Sequence, residues 1–368
     1  MRSFDYGFLK SGRVPAGLLG LVAAIAEARE RQRGRGREFG DALSGLERIA
    51  RVQSVGTSNA IEGIVTSDAR LRALVQGRAE PLDQDEFDIA GYRDALALVH
   101  EGRGALDVTE DTMRRLHETM LAYGPVPGGS YKQTDNAVLE IDAVGSRRVR
   151  FAPVPAAETP EAMAQLVLAY LDARSGQGVD PLLLAPCFIL DFLCVHPFLD
   201  GNGRVSRLLT LVALYQAGVD VTRYVSYEAE INRTREEYYE ALRASSVGWH
   251  EGANDYFPFL QYSLRAIVAC YRELDRRLAG IGPGRTTKKD RVRAAVLAHP
   301  VAIRKSELAD LLPDVSPTTI EAALGELVRQ GVVVKTGAGR ATAYAAPDAS
   351  RTPAAPNQPD LPSQSSPR

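Results

Sequence analysis

Apolar residues recur at helical spacing over residues 14–32, and the charged run EARERQRGRGRE at the end of that stretch, broken by Gly34 and Gly36, reads as a solvated helix end and turn. A second periodic run, 42–61, stops before Gly63, a residue suited to a helix C-terminus. Amphipathic helices are predicted over 85–101 and 109–123. Between Pro125 and Pro155 the period changes: AVLEID and RRVRFAPV alternate and are separated by Ala143-Val144-Gly145, the pattern of a β-hairpin. Helices resume over 160–175 and 181–195, the second so apolar (PLLLAPCFILDFLCV) that it must be buried on most sides. Further helices are predicted over 205–217, closed by Gly218, over 233–246 and over 255–278.

Composition shifts mark a boundary at GIGPGRTTKKD, near residues 280–289. Beyond it, helices over 291–299, 305–312 and 317–330 and strands over 332–336 and 341–345 follow the order of a winged helix. The proline- and serine-rich stretch 346–368 has little to bury and is expected to be disordered. The fold expected is therefore mainly α, with one β-hairpin and a C-terminal winged helix.

With 45% hydrophobic and 24% charged residues, the 368-residue chain has the make-up of a soluble globular protein of two or three units. Its formal net charge of −2 calls for neither a polyanionic partner nor an anionic membrane. No apolar run is long enough to span a bilayer, and MRSFDYGFLKSG lacks the core of a signal peptide, so a cytoplasmic protein without membrane contact is expected. Cys187, Cys194 and Cys270 show no metal-ligand spacing and read as buried thiols.

Candidate chemistry concentrates in HPFLDGNGRVSR, residues 196–207, a polar, glycine-rich insertion between two core helices. Gly201 and Gly203 let the backbone approach a ligand, and the following helix offers unpaired N–H groups and the positive end of its dipole, which together make an anion pocket. Arg204 and Arg207, three apart, sit on neighbouring positions and can both reach the outward phosphates of one ligand. Asp200 beside them would oppose an anion unless Mg²⁺ bridged carboxylate and phosphate. His196, with an ordinary pKa of about 6.5, can accept a proton from an attacking hydroxyl. Helix caps and surface charges are the bland alternative, set against the density of these residue types in one loop.

The stretch HPFLDGNGRVSR resembles in full the signature H-P-F-x-D-G-N-G-R-x-x-R of the Fic family. SNAIEGI, YKQTDN, RVRFAPVP and NRTREEYYEAL extend the resemblance over most of residues 1–280. It implies a helical Fic core with a hairpin flap and transfer of AMP from ATP to a serine, threonine or tyrosine hydroxyl of a target protein. It further implies His196 as general base, Asp200 as magnesium ligand, Asn202 at the α-phosphate, and Gly201 and Gly203 as a backbone anion hole. Arg204 would meet the β-phosphate and Arg207 the γ-phosphate. The kinase-like Doc branch replaces the second half of the glycine motif; GNGR is intact here, which favours nucleotide transfer over phosphorylation.

Ser58 and Glu62 lie four apart on one predicted helix face, and SNAIEG resembles the inhibitory helix of Fic proteins, whose glutamate pairs with the last arginine of the signature. Glu62 is accordingly expected to pair with Arg207 and hold back the γ-phosphate. The hairpin around residues 132–151 resembles the flap that docks a target segment, although a purely structural hairpin fits the pattern too. Tyr239, with its neighbour Tyr238, is a candidate for contact with the nucleotide base.

The implied organisation is 1–105, an N-terminal helical region with the inhibitory helix; 106–279, the Fic core; 280–345, the winged helix; and 346–368, the tail. The helix over 317–330 occupies the recognition position, yet it offers Thr318, Thr319, Glu321, Glu326 and Arg329, a poor inventory for phosphates or guanine edges. Lys288, Lys289, Arg291, Arg293, Lys335 and Arg340 add some positive charge, so DNA stays open as a partner behind protein contact or homodimer formation. The function expected is an autoinhibited protein adenylyltransferase using ATP and Mg²⁺. The alternative is a DNA-binding regulator whose Fic core senses nucleotide, which would not need the base His196.

Overall fold

Side-chain caps at the sequence positions that favour them start many of the helices. The computed structural model describes residues 2–10, 14–141, 147–176, 178–279, 287–299, 302–312, 315–339 and 342–347. The expected hairpin turn at Ala143-Val144-Gly145, most of the glycine-rich linker, Arg340 and the tail from 348 lie outside the described residues. The chain divides into two units, Met1–Thr286 and Thr287–Arg368.

The first unit opens with α1 (Ala16–Glu38) and α2 (Gly40–Ile61). α1 does not break at Gly34 and Gly36 as the sequence suggested. It packs along α11 (Phe257–Leu278), and Arg35 is paired with Asp275 of that helix, so tertiary packing overrides a propensity cost of about 1 kcal/mol per glycine. Then come α3 (Asp68–Val75), which the sequence reading missed, α4 (Gln84–Glu101) and α5 (Glu110–Met120). Their caps Ser67, Asp83 and Thr109 accept bonds from the backbone N–H of Arg70, Glu86 and Thr112. α4 and α5 cross closely at Gly91, where an added Cβ would lie 1.9 Å from the Met120 carbonyl oxygen.

β1 (Val138–Ile141) pairs antiparallel with β2 (Arg147–Phe151), at the place where alternation ended the helical period. α6 (Thr159–Ser175), α7 (Pro181–Val195), α8 (Asn202–Gln216), α9 (Tyr227–Arg233), α10 (Arg235–Ser246) and α11 complete the unit. α7 is its central core helix, packed against α6, α8, α10 and α11, as its lack of a polar face requires. Its one carboxylate, Asp191, is fully buried and accepts from Tyr6 Oη at 2.8 Å, Trp249 Nε1 at 2.7 Å and Tyr256 Oη at 2.9 Å. Burial pushes the Asp191 carboxyl up from the usual range, while these donors and Arg2 pull it down. Cys187, Cys194 and Cys270 are buried free thiols.

The second unit comprises α12 (Lys288–Ala298), β3 (Ile303–Arg304), α13 (Lys305–Leu311), α14 (Pro317–Arg329), β4 (Val334–Thr336) and β5 (Ala343–Ala345). The three short strands form an antiparallel sheet in the order β3-β5-β4. Val292, Val296, Leu308, Ile320, Leu324 and Leu327 supply the apolar faces of its helices. Among the described residues no helix is long and apolar enough to cross a membrane.

Candidate active site

α7 ends where Pro197 follows, and His196, its C-cap, turns left-handed with φ 52° and ψ 59°. It is the one non-glycine residue at positive φ among those described, a conformation that costs about 1–3 kcal/mol and persists only where the surroundings impose it. Its backbone N–H donates to Phe192 O at 2.9 Å, and Nδ1 lies 3.1 Å from Leu193 O. A carbonyl only accepts, so Nδ1 carries the proton and Nε2 holds the lone pair. Burial lowers the ring to about 4, reinforced by Lys132 and Arg150 and opposed by the Leu193 bond and Glu62. The ordinary value expected from sequence is thus corrected: the imidazole is neutral well below physiological pH.

The loop after His196 is fastened from three sides. Asn202 Oδ1 accepts from Phe198 N at 2.9 Å and its Nδ2 donates to Phe198 O at 2.7 Å, so this amide is absorbed within the loop. Phe198 stacks on His117 of α5 at 3.9 Å between centroids. His117 Nδ1 accepts from Gly129 N at 2.9 Å, which leaves Nε2–H to donate to Asp200 O at 3.2 Å. Lys132 Nζ donates to Val195 O at 3.2 Å and Asn136 Oδ1 at 2.8 Å, and Asn136 Nδ2 donates to His196 O and Phe198 O. Burial lowers Lys132 to about 8.

α8 begins at Asn202, three residues earlier than periodicity suggested, because Gly201 at φ 76° takes the left-handed cap position. A Cβ on Gly201 would lie 2.5 Å from Met120 Cε. The first N–H groups of α8 therefore open at the loop with no intrahelical partner. The Asp200 side chain is 85% exposed at the same edge, with Oδ1 accepting from Gly201 N at 2.6 Å.

Arg204 and Arg207 are not surface charges, the bland alternative for this loop. Both are buried, and each is turned toward a carboxylate of an N-terminal helix. Arg204 Nη1 donates to Asp88 Oδ1 of α4 at 2.7 Å. Arg207 Nη2 donates to Glu62 Oε1 and to Ser58 O, at 2.8 and 2.9 Å, and its Nε donates to Ser58 Oγ at 2.8 Å. Glu62 comes so close to α8 that a Cβ on Gly203 would lie 2.5 Å from its Oε1.

Glu62, His196, Asp200, Gly201, Asn202, Gly203, Arg204, Arg207 and Tyr239 line one cleft of 1210 Å³, and Ser58 stands behind Arg207. Of the two tyrosines, Tyr238 is buried against Phe259 and Tyr262, and Tyr239 carries Arg235 over its ring at 5.7 Å. The sequence reading missed Asp88, His117, Lys132 and Asn136. Lys132 and Asn136 belong to YKQTDN, whose resemblance to the family gives neither residue a role; Asp88 and His117 carry no local signal.

Residues 107–214 match the family model described as Fic/DOC family. Relatives include the "Protein adenylyltransferase Fic" of Nematostella vectensis, 27% identical over 237 residues, covering 62% of this chain and 48% of the relative. The "Protein adenylyltransferase fic-1" of Caenorhabditis briggsae is 29% identical over 210 residues, covering 55% of this chain and 37% of the relative. The chain thus spans about half or less of the length of these curated relatives. A solved Fic family protein from Desulfovibrio desulfuricans G20 superposes with a TM-score of 0.59 at 20% identity, over 90% of this chain and 96% of its own. Residues 107–214 thus match the Fic/DOC family domain, and the chain shares the helical fold of that solved structure.

Proposed function

We propose that the chain is a protein adenylyltransferase that moves AMP from ATP onto a hydroxyl of a target protein and is held back by Glu62. The observation that carries the reading is His196: a neutral imidazole, locked by Leu193 into the tautomer with the lone pair on Nε2, on the same cleft as the N-terminus of α8 and two arginines. In this reading the acceptor hydroxyl gives its proton to Nε2 as its oxygen bonds to the α-phosphorus. The bond from the α-phosphorus to the bridging oxygen breaks, and pyrophosphate departs with the electron pair. The N–H groups at the start of α8 stabilise charge on the α-phosphate, and Arg204 and Arg207 hold the outer phosphates in line.

Asp200 suits Mg²⁺. Its carboxylate is exposed at the cleft, and among the described residues no group of three or more His, Cys, Asp or Glu side chains forms a closed metal cage. A hard cation that takes most of its oxygens from phosphates and water needs only such a carboxylate, and when bound it would neutralise the leaving pyrophosphate. Glu62 holds Arg207 in the resting state, so ATP would bind without its outer phosphate in the productive place. The β1–β2 pair beside the cleft is read as the flap that docks the target segment by strand pairing.

We read the second unit as a winged helix that meets a protein. Lys289 is paired with Glu326, and Lys305 with Glu321 at 2.7 Å, so acidic side chains of α14 neutralise lysines that would otherwise face phosphates. The test of the main reading uses ATP labelled at the α- or γ-phosphate with the Glu62→Gly protein. α-Label on protein is expected; γ-label would mean a kinase, and no label with tight DNA binding would favour a nucleotide-sensing regulator.

A further inference from the structure

We propose that Asp88 is a positioning residue of the nucleotide site, one that aims the Arg204 guanidinium at the phosphates beyond the α-phosphorus; the proposal rests on the adenylyl-transfer reading above. Arg204 is 2% exposed. Its Nη1 donates to Asp88 Oδ1 at 2.7 Å, and its Nη2 stands 3.7 Å from the exposed Asp200 carboxylate. Its Nε is buried and meets no acceptor. A guanidinium has five donors, and this one spends few of them on the protein while its residue lines the cleft. Buried donors left open beside a cleft leave room for a bound partner such as an anion or a water.

Asp88 and Glu62 each face one of the two arginines, but they are built differently. Glu62 sits at the end of α2, followed by Gly63 at φ 82°, and its side chain is 36% exposed, so it can leave for water. Asp88 lies within α4, its side chain is 12% exposed, and its Oδ2 accepts from Gln84 Nε2 at 3.2 Å. The backbone of α4 is itself fixed at Gly91, where α5 leaves no room even for a methyl group. A carboxylate that cannot withdraw does not act as a switch. It fixes the direction of its partner, as outer carboxylates fix the rings of metal-ligating histidines. Asp88 also carries a charge that repels phosphate and neutralises the guanidinium at 2.7 Å, so its removal tests aim against charge: lost aim weakens ATP, and relieved repulsion tightens it.

The experiment places Asp88→Ala and Asp88→Asn in the full chain carrying Glu62→Gly and measures dissociation constants for ATP, ADP and AMP with Mg²⁺, beside α-label transfer. Asp88→Ala is expected to weaken ATP and ADP together by roughly 10–100-fold, the range seen when an outer-shell partner of a ligand is lost. AMP, which lacks the outer phosphates, should be unchanged, and retained AMP binding shows that the variant is folded. Asp88→Asn, which keeps the shape and one acceptor oxygen, should fall between. Unchanged or tighter ATP binding overturns the proposal, as does an equal loss for all three nucleotides in Asp88→Asn. If Glu62→Gly itself transfers no α-label, the adenylyl-transfer reading fails, while the contrast between ADP and AMP still decides the role of Asp88.

Discussion

Replacing Glu62 should release the site, and the structure sets the scale. The Glu62–Arg207 pair is close, 2.8 Å, with Arg207 3% and Glu62 36% exposed. Unit charges about 4 Å apart attract by roughly 4 kcal/mol at an effective dielectric of about 20. Exposure of the glutamate and its own hydration leave about 1–3 kcal/mol, which corresponds to roughly 5–150-fold in an equilibrium. Arg207 does not come loose when Glu62 goes, because two bonds to Ser58 still hold it. Its freed N–H is then already in place for an outer phosphate. Glu62→Gly should therefore raise the rate of α-label incorporation by roughly 5–150-fold. Glu62→Gln, which keeps a neutral acceptor for Arg207, should raise it less. The assay is initial-rate self-modification with α-labelled ATP, with a melting curve as a control for folding. Equal rates for wild type, Glu62→Gln and Glu62→Gly would refute the reasoning, and so would activation accompanied by loss of the folded state.

Other outcomes follow from the same geometry. Because burial holds His196 near 4, it stays deprotonated as pH falls to about 5 and gains its proton only through about 4, so α-label transfer by Glu62→Gly should change less than about twofold between pH 7.5 and 6; an acid limb centred near 6.5, which would cut the rate to about a quarter at pH 6, contradicts this. Asp200→Ala should raise the Mg²⁺ concentration for half-maximal transfer by at least about tenfold, read from a Mg²⁺ titration at saturating ATP. Gly91→Ala must push α4 off α5, since the new methyl would meet the Met120 carbonyl at 1.9 Å, and a loss of about 1–3 kcal/mol in denaturant unfolding is expected; an unchanged midpoint would mean the helices do not cross as described.

Much of the helical pattern and the composition of the site could be read from the chain. The loop from His196 to Arg207 stood out because its glycines and charged groups interrupt two helices with no polar face of their own. The Glu62–Arg207 pair was implied by the resemblance alone, since the i, i+4 spacing says only that Ser58 and Glu62 share a face, and the structure brings those side chains together. The orientation of the arginines was not legible. Spacing along α8 says which face they share, but not that the face abuts α2 and α4. Asp88 is one acid among several on an amphipathic helix, 116 positions from Arg204, and only the fold makes them neighbours. His117 was hidden in the same way, since its stacking on Phe198 depends on how α5 meets the loop. The run through Gly34 and Gly36 was misread because local propensity is silent about α11, which supports that part of α1. The lowered pKa of His196 likewise reflects burial, which a motif does not encode.

The central claim, that His196 drives transfer of an adenylyl group from this cleft, is tested most directly by mass spectrometry of proteins incubated with ATP and Mg²⁺. Two forms are compared, Glu62→Gly and Glu62→Gly with His196→Ala. The expected result is AMP on a serine, threonine or tyrosine hydroxyl with the first form and none with the second. A phosphate in place of AMP, or equal AMP incorporation without the imidazole, would contradict the account.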